Sequence, residues 1–258
     1  MGRIYASSDW HGNLELANKI FDYLKPDDTL YFLGDAADRG ENGVKVLKAL
    51  MNDNRVIFIK GNHDQTLLEY LYTQLECFGA SFNYELWDYN GGKTTRKELN
   101  VIPEEEKRDI YIFLENLPTE KIYESPKGHK VILEHSGYTP FDIPHYSHDP
   151  LWDRSHFYDN WNYCPTTDEV KNTYLVHGHT PVFEMEFRFG YNGEQAHDLE
   201  WIKNKQLYYE NKLPFPPKVI RYCEGHKFNI DLGCFYTNRG VLLDLDTFEE
   251  IYFNLEKK

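Results

Sequence analysis

The sequence predicts an α/β fold in which two mixed β-sheets lie face to face with helices outside. Short apolar runs at residues 3–8, 29–33 and 55–59 alternate with amphipathic segments at 13–24 and 44–51. This β-α-β-α-β spacing is typical of parallel strands joined by helical crossovers. A cluster of polar residues follows each of the three apolar runs directly. The later half of the chain is rich in predicted strands, which supplies the second sheet.

The remaining helices and strands are predicted from the periodicity of apolar residues and from the prolines that begin or end helices. The segment 13–24 ends at Pro26, and residues 67–75 are predicted to be helical. Pro103 followed by three glutamates marks another helix start. Residues 77–100 lose their period and are predicted to form a loop or cap. Further strands are predicted at 121–124, 130–133, 173–176, 182–189, 218–222, 227–230, 240–244 and 249–254.

The chain is predicted to be a single domain spanning residues 1–258, because it has neither an internal repeat nor a convincing linker. Cap or loop insertions are expected near 77–108, 138–165 and 184–218. The last of these segments is rich in aromatic residues. We expect it to form a hairpin or lid, and a rim that selects substrate is the alternative.

The charge balance limits the partners. A formal net charge of −14 disfavours binding to nucleic acid or an anionic membrane, so an anionic substrate needs a local positive site. No apolar run reaches 18 residues, which predicts no membrane span. The four cysteines are scattered without a CxxC pair, which is typical of reduced thiols in a cytoplasmic protein. The sequence makes no prediction of the oligomeric state.

Metal-ligating side chains follow several of the predicted strands. Imidazole, carboxylate and amide groups together suit Mn, Fe, Zn or Co better than calcium, and the lack of cysteine among them argues against a structural zinc site. Two such cations ~3.5–4 Å apart form a common hydrolytic site. One Asp-X-His triplet is more often a loop cap, but five polar pieces in order favour a site. The candidates are Asp9, His11, Asp35, Asn62, His63, His135 and His179.

The order of these pieces resembles a known family, the calcineurin-like metallophosphoesterases, and within it the bacterial and phage members of the phosphoprotein phosphatase branch. The matching motifs are DWHG at 9–12, GDAADRG at 34–40, GNHD at 61–64, HSG at 135–137 and GHTP at 178–181. The segment NIDLG at 229–233 resembles the family's closing strand. Trp87 with NGG at 90–92 and Thr94 resembles a helical-cap motif of the bacterial members. The resemblance implies a four-layer α/β/β/α sandwich.

The resemblance also implies a dinuclear metal centre. By motif position, Asp9 and His11 hold the first metal, and Asp35 bridges both. The second metal is completed by Asn62, His135 and His179. The implied cofactor is a pair of divalent transition-metal ions, Mn²⁺ first, with Fe, Zn, Co or Ni as alternatives. His177 precedes the glycine of the GHTP motif and matches no ligand position, so we expect it to be structural.

Four further residues acquire roles from the resemblance. His63 is the expected general acid and Asp38 orients it, although Asp38 could instead only pair with Arg39. Arg39 and Arg154 are the expected phosphate clamp, and they favour monoesters over diesters. The implied reaction is in-line attack on phosphorus by a hydroxide that bridges the two metals. His145, His148 and His156 are not expected to form a third metal site.

These features predict a metal-dependent phosphatase that acts on phosphate monoesters. The expected substrate is a protein phosphorylated at Ser or Thr, with Tyr as an alternative, or a small phosphate ester. A symmetrical dinucleoside tetraphosphate hydrolase is the alternative, since the Leu-Trp-Asp-Arg element at 151–154 occurs in both bacterial groups. A polynucleotide phosphatase is disfavoured by the acidic charge balance. A catalytically inactive binding scaffold is the distant alternative, and it predicts a damaged ligand set that the sequence lacks.

Overall fold

Two five-stranded sheets form the centre of the molecule in the computed structural model, which describes residues 2–77, 80–137, 149–154, 171–184 and 216–256. The strands of the first sheet are β1 (Ile4–Ser7), β2 (Thr29–Phe32), β3 (Val56–Phe58), β9 (Arg239–Asp244) and β10 (Glu250–Asn254). Their spatial order is β10-β9-β1-β2-β3. Strands β1, β2 and β3 are parallel, and β9 and β10 run antiparallel to their neighbours, so the sheet is mixed.

The second sheet repeats this plan. Its strands are β4 (Glu120–Glu124), β5 (Lys130–Glu134), β6 (Thr173–His177), β7 (Ile220–Tyr222) and β8 (Lys227–Asn229), in the order β4-β5-β6-β8-β7. Strands β5, β6 and β8 are parallel, whereas the edge strands β4 and β7 are antiparallel to their neighbours. Each sheet therefore contributes three parallel strands, and loops that carry functional groups follow the carboxyl ends of such strands.

Helices cover the outer face of the first sheet. The helices are α1 (Leu14–Tyr23), α2 (Gly43–Asn52), α3 (Asn62–Leu75), α4 (Tyr84–Tyr89), α5 (Gly92–Leu99), α6 (Glu104–Glu115) and the short α7 (Cys234–Thr237). The side chain of Asn13 caps α1 by accepting the N–H of Leu16 at 3.0 Å. The α1 residues Leu16, Ala17 and Ile20 are fully buried, which realises the apolar stripe read from the sequence.

Two hydrophobic clusters hold these layers together. One lies between the first sheet and its helices, where Phe32 and Leu242 pack with Leu47 and Leu114. The other lies between the two sheets, where Ala6 and Leu243 of the first sheet meet Leu133, Val176 and Phe228 of the second. The predicted α/β class, two mixed sheets face to face flanked by helices, is confirmed.

Three element predictions were wrong. Helix α3 begins at Asn62 rather than near residue 67, because its first turn buries polar groups instead of continuing the apolar period. The segment 77–100 contains α4 and α5 rather than a loop, since helices of six and eight residues are too short to show a clear period. Residues 182–184 form a helical turn instead of a strand, and the rest of the predicted 182–189 strand lies outside the described residues.

Two of the expected insertions fall largely outside the described residues. Only residues 149–154 of the 138–165 segment and the ends of the 184–218 segment are described, so those two expectations stay predictions. The three histidines of the first of these segments also lie outside. Among the described residues, no helix is both long and apolar enough to cross a membrane.

Candidate active site

The polar pieces predicted at the strand ends converge on one edge between the sheets. Strands β1, β2 and β3 lead to Asp9, His11, Asp35, Asn62 and His63, and strands β5 and β6 lead to His135 and His179. All seven side chains are at most 6% exposed. Seven buried polar side chains from five strands meet here because the parallel strands of both sheets point their carboxyl ends in this direction.

Backbone hydrogen bonds join the loops to one another. The amide of Asp9 donates to the carbonyl of Gly34 at 3.0 Å, and the amide of His11 donates to the carbonyl of Asp35 at 3.0 Å. On the second sheet, the amide of Gly178 donates to the carbonyl of His135 at 3.0 Å. The candidate ligands are therefore fixed relative to each other by main-chain bonds rather than by side-chain packing alone.

Backbone strain concentrates at this edge. Among the described residues, ten non-glycine residues have a positive φ, and six of them are candidate site residues. These six are Asp9, His11, Asp35, Asp38, Arg39 and His179, with φ between 43° and 67°. The left-handed region costs free energy for residues that carry a Cβ, and such strain persists where the surrounding structure imposes it. Holding these side chains in position therefore lowers the stability of the fold.

Asp35 lies at the centre of the cluster. Its Oδ2 atom is 3.7 Å from Nε2 of His11, 3.5 Å from Nε2 of His135 and 3.9 Å from Nε2 of His63. Two groups of ligand atoms close enough to hold an ion can be formed, one by His11, Asp35 and His63 and the other by Asp9, Asp35 and His135. Asp35 belongs to both groups, as a carboxylate between two ions must.

The second group extends to an amide and another imidazole. Oδ1 of Asn62 lies 2.9 Å from Nε2 of His135 and 2.9 Å from Nδ1 of His179. The backbone amide of His179 donates to Oδ2 of Asp9 at 3.1 Å, which ties the two sheets together at the site. The sequence-predicted ligands from both sheets are thus brought into one cluster.

The tautomers of two imidazoles are set by backbone carbonyls. Nδ1 of His11 faces the carbonyl of Ala37 at 3.0 Å, and Nδ1 of His135 faces the carbonyl of Leu33 at 2.6 Å. Since a carbonyl only accepts, both Nδ1 atoms carry the proton and both Nε2 atoms present a lone pair. Nε2 of His135 and Oδ1 of Asn62 are therefore two acceptors facing each other. Converging lone pairs of this kind fit a divalent cation, and the donor set of carboxylate, imidazole and amide suits a transition metal.

Burial sets the protonation of the cluster in the absence of a metal. It raises the pKa of Asp35 to about 7 and, together with the neighbouring Asp35, raises the pKa of Asp9 well above its usual range. Burial also lowers the pKa of His135 to about 4 and that of His11 well below its usual range. At neutral pH the imidazoles of His11 and His135 are therefore neutral and can donate a lone pair, whereas the carboxyl groups of Asp9 and Asp35 are what a cation must deprotonate.

A hydrogen-bonded chain runs from His63 into the core. Nδ1 of His63 donates to Oδ2 of Asp38 at 2.8 Å, and the same oxygen accepts the indole N–H of Trp87 at 2.8 Å. The hydroxyl of Thr95 donates to Oδ1 of Asp38 at 2.6 Å. Asp38 is fully buried, and Arg39 contacts His11 and His63 instead of pairing with it. The interpretation that Asp38 orients His63 therefore matches the geometry.

The two arginines reach the cluster from different loops. The guanidinium of Arg39 donates to Nε2 of His11 and, at 3.2 Å, to Nε2 of His63. Nε of Arg154 donates to Nε2 of His179 at 3.1 Å. Both arginines are half-buried. Arg39 therefore contacts the part of the cluster that holds His11 and His63, and Arg154 contacts His179.

His177 is turned away from this cluster. Its Nδ1 donates to the carbonyl of Gly178 at 3.0 Å, and its Nε2 faces the hydroxyl of Tyr222 at 2.8 Å. Burial lowers its pKa to about 3. Both ring nitrogens are engaged within the second sheet, which agrees with the structural role expected from its place before the motif glycine.

Sequence reasoning missed several supporting residues. The buried carboxylate of Asp64 accepts the backbone N–H groups of Asp35 and Gly61 at 2.8 and 2.9 Å. It therefore fixes the loops that follow β2 and β3. The sequence could have indicated this role, since Asp64 is the last residue of the GNHD motif at 61–64. The side chain of Asn229 donates to the carbonyl of Thr180 at 2.6 Å. The cap motif drew attention to Trp87, but its bond to Asp38 could not be read from the sequence.

A family comparison agrees with this geometry. The sequence profile of the calcineurin-like phosphoesterase family matches residues 2–235, most of the chain. The chain is a calcineurin-like phosphoesterase. Members of this family are metal-dependent hydrolases of phosphate esters, and the His and Asp groups described above are candidate ligands for their divalent ions.

Similar proteins differ in their substrates. The phosphoesterase is 22% identical over 218 residues to bis(5'-nucleosyl)-tetraphosphatase PrpE [asymmetrical] of Oceanobacillus iheyensis, covering 81% of this chain and 71% of that protein. A metallophosphoesterase structure from Sphaerobacter thermophilus has 17% identity and a TM-score of 0.52, covering 99% of this chain and 89% of that one.

Two protein phosphatases are also similar in structure. A cold-active protein tyrosine phosphatase has 14% identity and a TM-score of 0.54, covering 98% of this chain and 77% of that one. A protein serine/threonine phosphatase from Saccharomyces cerevisiae has 12% identity and a TM-score of 0.52, covering 100% and 81%. At these identities the likeness supports the fold alone.

Metal affinity of this phosphoesterase should rise with pH. Burial keeps His11 and His135 neutral in the fold, so a cation competes with the proton on Asp35, whose pKa is about 7, and with the proton on Asp9, whose pKa is also raised. Between pH 5.5 and 8 we expect Mn²⁺ affinity to rise by up to about tenfold per pH unit for each proton displaced. Isothermal titration calorimetry in buffers of different ionisation enthalpy measures both the affinity and the proton release. A flat affinity over this range would contradict the assignment.

Gly178→Ala should weaken metal binding. A Cβ at this position would lie 2.1 Å from Oδ2 of Asp9, so the carboxylate would have to move. A displaced ligand lowers metal affinity by about 10- to 100-fold. Titration of Mn²⁺ into the two proteins measures the change.

Gly128→Ala is the control for that variant. A Cβ on Gly128 meets nothing within 4 Å, but its φ of 90° makes the change strained. We expect it to lower stability by about 1 kcal/mol and to leave Mn²⁺ affinity unchanged. Equal metal affinity in wild type and Gly178→Ala would show that Asp9 is not held by this contact.

Proposed function

We propose that this phosphoesterase hydrolyses phosphate monoesters, most often those of phosphorylated protein side chains. The observation that carries the proposal is the pair of arginines, Arg39 and Arg154, which face the candidate metal cluster from different loops. A planar guanidinium matches phosphoryl oxygens in a bidentate manner. A monoester carries more charge on its nonbridging oxygens than a diester, so it gains more from two added cations.

The metal centre of the proposal uses the buried donor set. Asp9 and His11 would hold one divalent ion, Asp35 would contribute to both, and the other ion would be held by three side chains from both sheets: Asn62, His135 and His179. When bound, two divalent ions supply Lewis-acid charge and lower the pKa of a coordinated water. Mn²⁺ is the ion we propose first, on the resemblance to bacterial phosphatases.

The proton for the leaving group comes from His63. Its Nδ1 is fixed by Asp38, so its Nε2 faces the cluster and can hold a proton at that atom. Trp87 and Thr95 keep Asp38 in place, which prevents the ring of His63 from turning. Protonation of the leaving oxygen by Nε2 contributes typically 10²–10⁴-fold in general acid catalysis.

A second candidate activity is hydrolysis of dinucleoside tetraphosphates. The similarity to the bis(5'-nucleosyl)-tetraphosphatase favours it, because that relative covers most of this chain. The same metal ligands and arginines could act on a phosphoric anhydride, so the geometry of the cluster alone serves both reactions.

A parallel assay tests the proposal. Phosphoseryl, phosphothreonyl and phosphotyrosyl peptides of one sequence are compared with diadenosine tetraphosphate at equal enzyme and Mn²⁺ concentrations. We expect kcat/KM to be at least about tenfold higher for one of the phosphopeptides, a difference of about 1.4 kcal/mol in transition-state binding. A preference for the tetraphosphate, with ADP as product, would replace the leading function by the symmetrical alternative. AMP and ATP as products would indicate asymmetrical cleavage.

A cytoplasmic location is part of the proposal. It is supported by the free thiols of the described cysteines Cys77, Cys223 and Cys234, which fit a reducing compartment.

A further inference from the structure

A cavity of about 210 Å³ opens beside the proposed proton donor. Its wall includes His63 and Asn62 on one side and Trp152 and Phe82 on another. Because the cavity begins at the side chain that protonates the leaving oxygen, a group attached to that oxygen enters it. This placement of the leaving group rests on the proposed function, in which His63 protonates the leaving oxygen. The volume lies below the roughly 300–1,000 Å³ of cavities that hold drug-sized ligands, so it suits a single side chain.

Aromatic and apolar side chains form much of the wall. Trp87 is 1% exposed, and its ring centroid lies 5.5 Å from that of Phe82 in an edge-to-face arrangement. Trp152 is 49% exposed, and its ring centroid lies 6.2 Å from that of His179, one of the candidate metal ligands. Leu86 is 55% exposed and also lines the cavity. Two partly open aromatic rings offer faces against which another ring can pack.

The charge of the cavity opposes a polyphosphate. Among the described residues, its lining contains no lysine or arginine, and its one carboxylate is the exposed Glu69. Its remaining polar groups are neutral, such as Thr66 and Asn83. The leaving group of a dinucleoside tetraphosphate carries several negative charges. Those charges would meet a carboxylate with no cation from the described residues to offset them.

The cavity on the other side of the cluster is no more favourable to phosphates. It has a volume of about 590 Å³ and is lined by His11 and Phe235 together with Glu15, Glu41 and Glu256. No lysine or arginine belongs to this lining among the described residues. Among the described residues, the arginines that contact the cluster are Arg39 and Arg154, and neither lines these two cavities. A chain of phosphates extending in either direction would meet carboxylates.

We infer that the cavity beside His63 is a leaving-group subsite for an uncharged aromatic ring, so that aryl phosphates such as phosphotyrosyl side chains are the preferred substrates. Hydrolysis breaks the bond between phosphorus and the aryl oxygen, and that oxygen takes the proton from Nε2 of His63. Water supplies the oxygen that bonds to phosphorus and returns a proton to the site. The ring stays in the cavity that Trp152 and Phe82 line during this step.

Binding of phosphonates tests the subsite without turnover. Phenylphosphonate and methylphosphonate share the group that contacts metals and arginines, so the ratio of their affinities reports the ring alone. We expect the Mn²⁺-loaded protein to bind phenylphosphonate about five- to tenfold more tightly, and Trp152→Ala to reduce that ratio about fivefold, the size of an aromatic pair interaction. Leu86→Ala should reduce it less. Isothermal titration calorimetry measures each affinity.

Phe235→Ala is the matched control for these variants. Phe235 is 41% exposed and lines the opposite cavity, so its removal should leave the ratio unchanged. Equal affinity for the two phosphonates in the wild type, or a ratio that neither Trp152→Ala nor Leu86→Ala changes, would overturn the inference. Absence of hydrolysis of any phosphate ester would instead reject the proposed function, and the affinity ratio is measured independently of it.

A charge reversal gives an independent test. Glu69→Lys places a cation in the cavity and should raise kcat/KM for diadenosine tetraphosphate several-fold while leaving the phenylphosphonate ratio within about twofold. Glu105→Lys on the exposed side of α6 changes the net charge equally and should have no effect. If Glu69→Lys and Glu105→Lys have the same tetraphosphate activity, the cavity is not where the leaving group lies. A larger effect of Glu69→Lys supports the subsite.

Discussion

Asp35→Asn is expected to lower kcat/KM for a phosphate monoester by at least about 10³-fold. Oδ2 of Asp35 lies within 3.9 Å of three imidazole nitrogens and belongs to both candidate ligand groups, so an amide there removes the negative charge shared by two cations. The shape of the side chain is kept, and Oδ1 can still accept the amide of His63, as it does at 2.9 Å. Initial rates with p-nitrophenyl phosphate and the metal content per chain measure the change.

The stability of the metal-free Asp35→Asn variant shows whether its loss of activity comes from the missing carboxylate or from misfolding. The pKa of Asp35 is raised to about 7 by burial, above its value in the unfolded chain. The ionised carboxylate therefore costs the metal-free fold stability as pH rises through 7. In EDTA at pH 8, Asp35→Asn should melt at the same temperature as the wild type or higher. Asp109→Asn, an exposed position on α6, is the control and should change neither activity nor metal content. Full activity in Asp35→Asn would reject the two-metal mechanism.

His63→Asn is expected to lower kcat by about 10²–10⁴-fold with little change in metal content. The ring is 5% exposed, its Nδ1 is held by Asp38 at 2.8 Å, and its Nε2 faces the cluster. If Nε2 protonates the leaving oxygen, the loss depends on how much that oxygen needs a proton. The variant should therefore be far more impaired with a phosphoseryl peptide than with p-nitrophenyl phosphate, whose leaving group departs as a stable anion.

The ratio of these two losses distinguishes acid catalysis from structural damage. His129→Asn is a suitable control, since Nε2 of His129 bonds the carbonyl of Leu245 away from the cluster. It should keep activity with both substrates. Equal losses of His63→Asn with both substrates, accompanied by an equal loss of bound metal, would make His63 a metal ligand. Its distance of 3.9 Å from Asp35 makes that the specific alternative.

The local sequence pattern accounts for much of the fold, because the residues that recur with the apolar period of a helix or strand are the ones that become buried. The helix α1 lies within one residue of its prediction, since the side chain of Asn13 caps it and Leu16 and Ile20 supply its buried stripe. The same reasoning was wrong at the start of α3. There the buried groups are polar, and Asp64 is buried for its hydrogen bonds to Asp35 and Gly61 rather than for hydrophobicity. The periodicity of apolar residues cannot reveal a helix face that is buried but made of polar side chains.

The segment 84–99 shows a second limit. It lies within the segment 77–100, for which the sequence predicts a loop or cap, and its Trp and Gly residues match a family motif. In the fold, the indole of Trp87 and the hydroxyl of Thr95 both donate to Asp38, and the carbonyl of Gly91 accepts the amide of Arg39 at 2.9 Å. These contacts join positions about 50 residues apart. Their partners depend on how the helices pack, and no local signal encodes that.

The sequence by itself determined the family, the α/β class and the identity of the residues that meet at the strand ends. It could do so because short motifs placed after parallel strands leave few alternatives for where their side chains gather. Only the tertiary structure decided which nitrogen of His11 and His135 faces Asp35, that Asp38 bonds His63 rather than Arg39, and that a cavity with aromatic walls lies beside His63. Those features depend on carbonyls, ring faces and charges from distant parts of the chain, and they exist only once both sheets are packed together.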